Sequence, residues 1–314
     1  MKVLVTGGSG FLGTGVVAGL AAAGHEVTGG DLRVPDAPAV SGVRHVRLDV
    51  TDPAAVSATV AGHDAVVHLA SVVDPDGMGR DAAYRVDVDG SRHVLDACIE
   101  HGVRRLVVSS SGAAYGYHAD NPVPINEDWP VRGSTAFAYS HHKALVEQML
   151  AGARRDHPGL EQVVLRIGTI LGDAVDNQIT ALFHRPRLLA IRGSDSPFVF
   201  VWDSDLVEIV VRAVDAGPPG VYNVAGTGTL TLGQIAERLG KRTLAIPEVV
   251  LKAALTVGRA LRATRYGPEQ TGFLRYRPVL DNTRLREVFG YTPDSTSAQA
   301  FDRWLAGHPD AGTR

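Results

Sequence analysis

Short apolar runs alternate with helically spaced stretches through the first half of the chain. Strands are predicted at Lys2–Thr6, Glu26–Gly29, His45–Leu48, Ala65–Leu69 and Arg105–Ser109. Helical patterns lie between them, at Leu12–Ala23, Pro53–Ala61, Ala82–Glu100 and Ala138–Arg154. Strands alternating with helices imply a parallel sheet covered on both faces. A further strand is predicted at Gln162–Ile167 and a helix at Asp205–Val214. Pro218-Pro219-Gly220 is a turn signal; Val221–Ala225 and a helix over Leu232–Leu239 follow it. From Gly240 the pattern is less regular and richer in arginine. The expectation is an α/β chain in which residues 1–170 carry a doubly wound parallel sheet. Residues 171–314 then form mainly a small substrate lobe, with segments around 198–225 returning to the sheet. The residues from about His308 are expected to fray.

The composition of the 314 residues, 45% apolar and 6% aromatic, suits a globular protein with a sizeable core. A formal charge of −3 gives no push towards nucleic acid or membrane surfaces. The single cysteine, Cys98, excludes an intramolecular disulfide and a thiolate metal cluster. It reads as a small buried hydrophobe. No His/Asp/Glu grouping has metal-ligand spacing, so no metal is expected. The longest apolar stretch, Leu244–Leu261, contains Glu248, Lys252 and Arg259 and is too charged for a bilayer span. Its stripe is expected to pack against the substrate lobe. The N-terminus does not read as a signal peptide, and the cytoplasm is the expected location.

The first predicted strand runs into Gly7-Gly8-Ser9-Gly10-Phe11-Leu12-Gly13. Glycines in a strand–turn–helix junction allow a tight turn and let a pyrophosphate approach the backbone. The following helix presents free N–H groups and a positive dipole end to that phosphate. This is the phosphate loop of a Rossmann-type sheet. Asp31, at the end of the second strand, is placed to accept bonds from ribose hydroxyls, which favours NAD over NADP. Arg33 beside it softens that preference.

Tyr139 and Lys143 are spaced i and i+4, which puts them on one face of a helix. A nearby ammonium, with the charge of an oxidised nicotinamide, is expected to lower the tyrosine's pKa towards useful values. The same spacing occurs on ordinary surface helices, so the pair gains weight only from its company. Ser109-Ser110-Ser111 closes a predicted strand at its carboxyl end, where open α/β sheets bind ligands. A serine hydroxyl there can donate to a substrate oxygen while Tyr139 exchanges its proton. His141 and His142, between the pair in sequence, are expected to point away and to be structural.

Together these residues resemble the extended short-chain dehydrogenase/reductase superfamily, and in particular its NAD-dependent epimerase/dehydratase group. The resemblance runs over nearly the whole chain. After Thr6–Gly13 and Asp31 come Asp49-Val50, similar to the family's adenine-holding pair, and His68-Leu69-Ala70-Ser71, similar to its H-L-A-A loop beside the cofactor. Asp87-Val88-Asp89-Gly90 looks like N-V-x-G; Leu165-Arg166-Ile167-Gly168 and Val221-Tyr222-Asn223-Val224-Ala225 complete the series. The resemblance implies that Ser111, Tyr139 and Lys143 are catalytic. It implies cofactor contacts from Gly7, Gly10, Phe11, Leu12, Gly13, Asp31, Asp49, Val50, Leu69, Ala70, Ser71, Tyr139 and Lys143. It also implies a homodimer built from the Tyr139 helix and the Ala82–Glu100 helix.

Four departures narrow the reaction. The acidic pair that eliminates water in the family's dehydratases is replaced by Gly112-Ala113-Ala114. The asparagine of N-V-x-G is Asp87. Thr169 stands where nucleotide-sugar members usually have asparagine. In Phe198–Asp205 the arginine that faces a substrate diphosphate is missing, and Trp202 replaces a histidine. Candidate substrate contacts are therefore Ser111, Thr169, Asn177, Arg187, Arg192, Trp202 and Arg275, the arginines as replacements for the missing one. The leading expectation is an epimerase acting on a small-molecule sugar, a nucleotide sugar in particular, through a transient ketone. The alternative is a net dehydrogenase or ketoreductase, and a third reading is a non-catalytic NAD sensor.

Overall fold

The computed structural model describes residues 1–36, 40–73, 78–264 and 267–312. Seven strands form one parallel sheet: β1 (Lys2–Thr6), β2 (Glu26–Asp31), β3 (Arg44–Arg47), β4 (Ala65–His68), β5 (Arg105–Ser111), β6 (Glu161–Ile167) and, after β7 (Thr169–Leu171), β8 (Arg187–Ile191) and β9 (Phe200–Trp202), the strand β10 (Gly220–Val224). Their order is β10-β6-β5-β4-β1-β2-β3, so the direction of winding reverses between β1 and β4. That reversal opens a crevice at the carboxyl ends of the strands. The central strands are apolar throughout because helices cover both faces. Ala65, Val66 and Val67 of β4 have no solvent exposure.

Helices α1 (Phe11–Ala22), α2 (Pro53–Val60), α3 (Arg80–Tyr84), α4 (Gly90–Glu100), α5 (Ala138–Asp156), α6 (Gln178–Phe183) and α7 (Asp203–Asp215) follow in chain order. Asp52 starts α2 by accepting from the Ala54 and Ala55 amides, with Pro53 in the first turn. Val207 of α7 packs against Gly15 and Gly19 of α1, where an added methyl would lie 3.0 and 2.8 Å from its γ-carbons. The expected single helix over Ala82–Glu100 is interrupted. A π-helical turn, Arg85–Asp89, separates α3 from α4. Such turns carry one extra residue and collect at functional sites.

The remaining chain forms a lobe beside the sheet's carboxyl edge. β7 pairs with β9, and β8 pairs with β11 (Arg242–Ile246). Helices α8 (Leu232–Arg238), α9 (Glu248–Ala260), α10 (Gln270–Arg275), α11 (Thr283–Glu287) and α12 (Ser297–Gly307) complete it. Phe183, Phe198, Phe200, Trp202 and Trp304 form its core. Two expectations fail here. The apolar stretch Leu244–Leu261 splits at Pro247 into β11 and α9. Of the helix's valines and leucines only Leu251 is buried, while Val249 is 78% exposed, so its stripe faces outwards rather than packing inwards. The chain after His308 is also not frayed: Pro309–Ala311 forms a 3-10 turn with Ala311 buried. Positions 313 and 314 lie outside the described residues. No helix among the described residues is long and apolar enough to cross a membrane.

Candidate active site

The glycine loop lies where β1 meets α1. Gly7 has φ +71°, and a Cβ there would lie 2.8 Å from the Ala70 amide nitrogen. A Cβ on Gly13 would come within 2.0 Å of the Gly7 carbonyl oxygen. The loop can therefore fold against α1 only with these residues bare. Gly10 caps α1 without a side-chain bond, so the first amides of the helix stay free for an anion. At the end of β2, the Asp31 carboxylate accepts from the Ser9 and Arg33 amides, each at 3.1 Å. That orients an acid beside the loop, at the position suited to a ribose diol. Asp49 accepts from the Thr51 amide and hydroxyl, which hold it below the usual carboxylate range. Val50 is buried against Gly90. The cradle fits a dinucleotide, with Gly7, Gly10, Phe11, Leu12, Gly13 and Asp31 placed to hold it.

Leu69, Ala70 and Ser71 leave β4 at the switch point. The Leu69 amide donates to the Thr6 carbonyl at 3.1 Å, which lays this segment over β1. His68 underneath is buried between the Thr6 and Ser91 hydroxyls. Burial, helped by the Lys143 charge, pushes its pKa down to about 3 and keeps it neutral.

The proton-transfer candidates come together as expected. Lys143 Nζ lies 5.5 Å from the Tyr139 ring centre and donates to the Ser109 carbonyl at 2.8 Å. Burial lowers the lysine's pKa, while Asp87 and Glu147 oppose that shift. Ser111 caps the 3-10 turn Gly112–Tyr115 and hydrogen-bonds Tyr139. Burial raises Tyr139 to about 12, with the Ser111 bond opposing and the Asp87 charge adding. The chain on its own keeps the phenol protonated, because desolvation outweighs what the neighbouring groups offer the phenolate.

Two side chains not assigned a site role from sequence hold this arrangement. Asp87 Oδ1 accepts from the Ser71 hydroxyl at 2.9 Å and the Val72 amide at 2.8 Å, and its Oδ2 accepts from His142 Nδ1 at 2.9 Å. Burial would raise this carboxyl, but the His142 and Val72 bonds, Lys143 and Ser71 carry it below the usual range. One carboxylate thus joins the loop after β4 to helix α5. His142 is structural, as expected, yet directly behind the site. Glu147, one turn beyond Lys143, accepts from the Ser110 hydroxyl and forms a buried ion pair with Arg166 at 2.7 Å. Arg166 also donates to Tyr115, whose hydroxyl bonds Asn223. The Leu165–Gly168 and Val221–Ala225 motifs therefore brace β6, β10 and α5 from within.

The substrate candidates fare differently. Trp202 is 2% exposed, enclosed by the lobe's core with Arg303 stacked on it, and offers no surface to a ligand. Asn177 is occupied: its amide oxygen caps α6 and its Nδ2 donates to the Ile170 carbonyl. Arg187 and Arg192 are exposed on the surface of the lobe. Arg275 is ion-paired with Glu248. Thr169 opens β7, half-buried just beyond β6. A further arginine of the lobe, Arg277, carried no expectation from the sequence and is half-buried among aromatic rings. Its signal was an arginine in the aromatic segment Phe273-Leu274-Arg275-Tyr276-Arg277. Its guanidinium lies 3.7 Å above Phe198 and 5.3 Å from Phe273. No group of metal-ligating side chains occurs among the described residues.

The profile of the NAD-dependent epimerase/dehydratase family matches residues 3–225. An uncharacterized protein of Mycobacterium tuberculosis is 29% identical over 265 residues, 83% of this chain and 70% of that protein. A 2-alkyl-3-oxoalkanoate reductase of Stenotrophomonas maltophilia is 34% identical over 195 residues, 60% of this chain and 56% of the reductase. The crystal structure of Thermus thermophilus UDP-glucose 4-epimerase with NAD superposes with a TM-score of 0.74 at 25% identity, covering 98% of this chain and 99% of the other.

Proposed function

Since the chain belongs to the NAD-dependent epimerase/dehydratase family, we propose that it interconverts a secondary alcohol and its ketone as a net redox reaction, with NAD as the preferred cofactor. The observation that carries this reading is the state of the substrate-side arginines. Arg187 and Arg192 stand exposed on the lobe, Arg275 is held by Glu248, and Trp202 is core. These residues present no preformed fork for a diphosphate. NAD, which Gly7, Gly10, Gly13 and Asp31 would hold, would supply the hydride acceptor for oxidation and, reduced, the hydride donor for reduction.

The chain's residues handle the proton. In reduction, Tyr139 gives its phenolic proton to the carbonyl oxygen as the carbon receives hydride, and Ser111 donates a second hydrogen bond to that oxygen. Lys143, pinned by Ser109, places a positive charge next to the phenolate that remains. At neutral pH the raised pKa keeps the phenol protonated, the form from which ketone reduction starts. The Gly112–Tyr115 turn carries no carboxylate to expel a hydroxyl, which speaks against dehydration. Asp31 would repel a 2'-phosphate, which supports the NAD preference.

A second reading, epimerisation of a nucleotide sugar, is supported by the likeness to the Thermus epimerase, because the same proton set serves it. Denaturing the purified protein and assaying released cofactor separates the two. Little retained NAD, with NADH consumed on addition of ketones, is expected. Stoichiometric NAD with conversion of UDP-glucose to UDP-galactose would overturn the redox reading. Tyr139→Phe should fold normally and lose about 1,000-fold in turnover; retained turnover would refute its role.

A further inference from the structure

Helix α9 meets the lobe along one narrow line. It buries Leu251, with Leu255 and Gly258 half-buried beside it. At about 100° per residue these three fall on one side. The opposite side is apolar without a break. Val249, Val250, Val257 and Leu261 are large exposed side chains there, with Ala253 and Ala260 exposed between them. Every position in that arc of about 160° is valine, leucine, alanine or threonine. A helix on a protein surface ordinarily turns its charged residues to water and its apolar stripe to the core. In α9 the charges sit at the edge of the outward face instead. Lys252 and Arg259 border it on one side, with at least half of each side chain exposed.

The small sheet leading into α9 repeats this chemistry. β11 runs into the helix through Pro247. Leu189 of β8 and Leu244 of β11 are register partners, and both are exposed. Arg187 and Arg242, the partners two residues earlier, share that face and are exposed too. From Lys241 to Arg262 five lysines and arginines stand against one acid, Glu248, in a chain whose formal charge is −3. Lys252 pairs with Glu248 and Arg259 with Glu269, but ion pairs this open to water are weak and leave the cations available to other anions. Arg187, Arg242 and Arg262 have no ion pair among the described residues. Basic charge therefore rims an apolar face in two successive elements.

We propose that this face of the lobe docks on an anionic lipid surface, with α9 lying in the plane of the interface rather than crossing it. The aliphatic side chains enter the boundary between headgroups and acyl chains, and the flanking cations meet lipid phosphates. The proposal is independent of which reaction the site performs. Charge selects this occupant over a second copy of the chain. A two-fold contact through α9 would bring each copy's cations towards the other's, with Glu248 and Glu269 already engaged. Composition selects it over a protein partner. α9 contains no tryptophan, tyrosine or phenylalanine of the kind that anchors protein interfaces, only short aliphatic side chains.

The test is sedimentation of the full chain with vesicles of equal parts phosphatidylcholine and phosphatidylglycerol, and with vesicles of phosphatidylcholine alone. The wild type should bind the anionic vesicles about tenfold more tightly or better, and raising salt from about 0.05 to 0.5 M should weaken that binding about tenfold. Val249→Asp combined with Val257→Asp should lose about 30-fold or more while keeping the wild-type Tm, because both side chains are exposed. Arg259→Gln combined with Arg262→Gln should lose about tenfold. Val257→Trp should bind as the wild type does and gain emission that brominated acyl chains quench. No binding to anionic vesicles, equal binding to neutral ones, undiminished binding by the double aspartate variant, or an unquenched tryptophan at position 257 would overturn the proposal. A dimer seen by ultracentrifugation that the double aspartate variant abolishes, with no vesicle binding, would overturn it in favour of a second copy.

Discussion

Asp87→Asn separates charge from shape at the junction of the cofactor loop and helix α5. An asparagine seated with its oxygen at the Oδ1 position keeps the Ser71 and Val72 bonds of 2.9 and 2.8 Å. Its Nδ2 then faces His142 Nδ1, which must change from donor to acceptor. Two charge-assisted bonds become neutral and the third inverts. Each conversion costs on the order of 1 kcal/mol, so the variant should lose about 1–3 kcal/mol. In a chain of this size that lowers Tm by roughly 2–6 °C. The pH dependence fixes the sign. Asp87 is held below the usual carboxylate range, so its contribution is present at neutral pH and lost as pH falls through its lowered value. Wild type and variant should differ at neutral pH and converge in acid, below about pH 4. The charge also raises Tyr139 and supports the protonated form of Lys143. Its removal should therefore shift the alkaline limb of the ketone-reduction profile to lower pH. Urea denaturation across pH and the pH dependence of kcat/KM read both effects. Equal stability at neutral pH, or a gap that persists unchanged into acid, would refute an ionised Asp87 as the brace.

Three further outcomes follow from the same geometry. Gly13→Ala places a methyl 2.0 Å from the Gly7 oxygen, so the loop must shift; stability should fall by about 1–3 kcal/mol and NAD affinity by about tenfold or more, measured by denaturation and calorimetry. Asp31→Ser removes the acid beside the loop and should narrow the NAD-over-NADP ratio of kcat/KM about tenfold; an unchanged ratio would separate Asp31 from cofactor choice. Glu147→Gln leaves the Arg166 guanidinium buried without its anion and should cost about 3–5 kcal/mol in urea denaturation, whereas Glu147→Leu combined with Arg166→Met should recover most of it.

The sheet was legible because its strands are buried on both faces and separated by helices with clear apolar spacing. The glycine loop was legible because only glycine meets the close approaches at Gly7 and Gly13. Tyr139 and Lys143 were legible because a helix turns i and i+4 to one side. Other features have no such local signature. The extra residue at Arg85–Asp89 leaves the apolar pattern of Ala82–Glu100 close to that of one helix, so a single helix was expected. Asp87 drew notice only as a departure; that it meets Ser71 and His142 depends on three segments arriving together. The pKa of Tyr139 depends on burial, which spacing does not report. Trp202 stands where the resembled family often carries a histidine, yet the lobe's aromatic core claims it. Arg277 lies in a stretch without regular periodicity, and only the packing of Phe198 and Phe273 around it sets it apart from a surface arginine.

The π-helical turn also fixes how long this part of the chain can be. Its extra residue advances α4 by about 100° around the axis relative to α3. Val88, Val94, Leu95 and Cys98 are buried under the sheet in that phase. Deleting one residue would let the turn rewind as ordinary helix, but it would rotate either the buried face of α4 or the Asp87 carboxylate away from its partners. Residues 80–100 therefore behave as a unit of fixed length: single-residue insertions and deletions are excluded there, and a graft between related chains has to carry the segment whole.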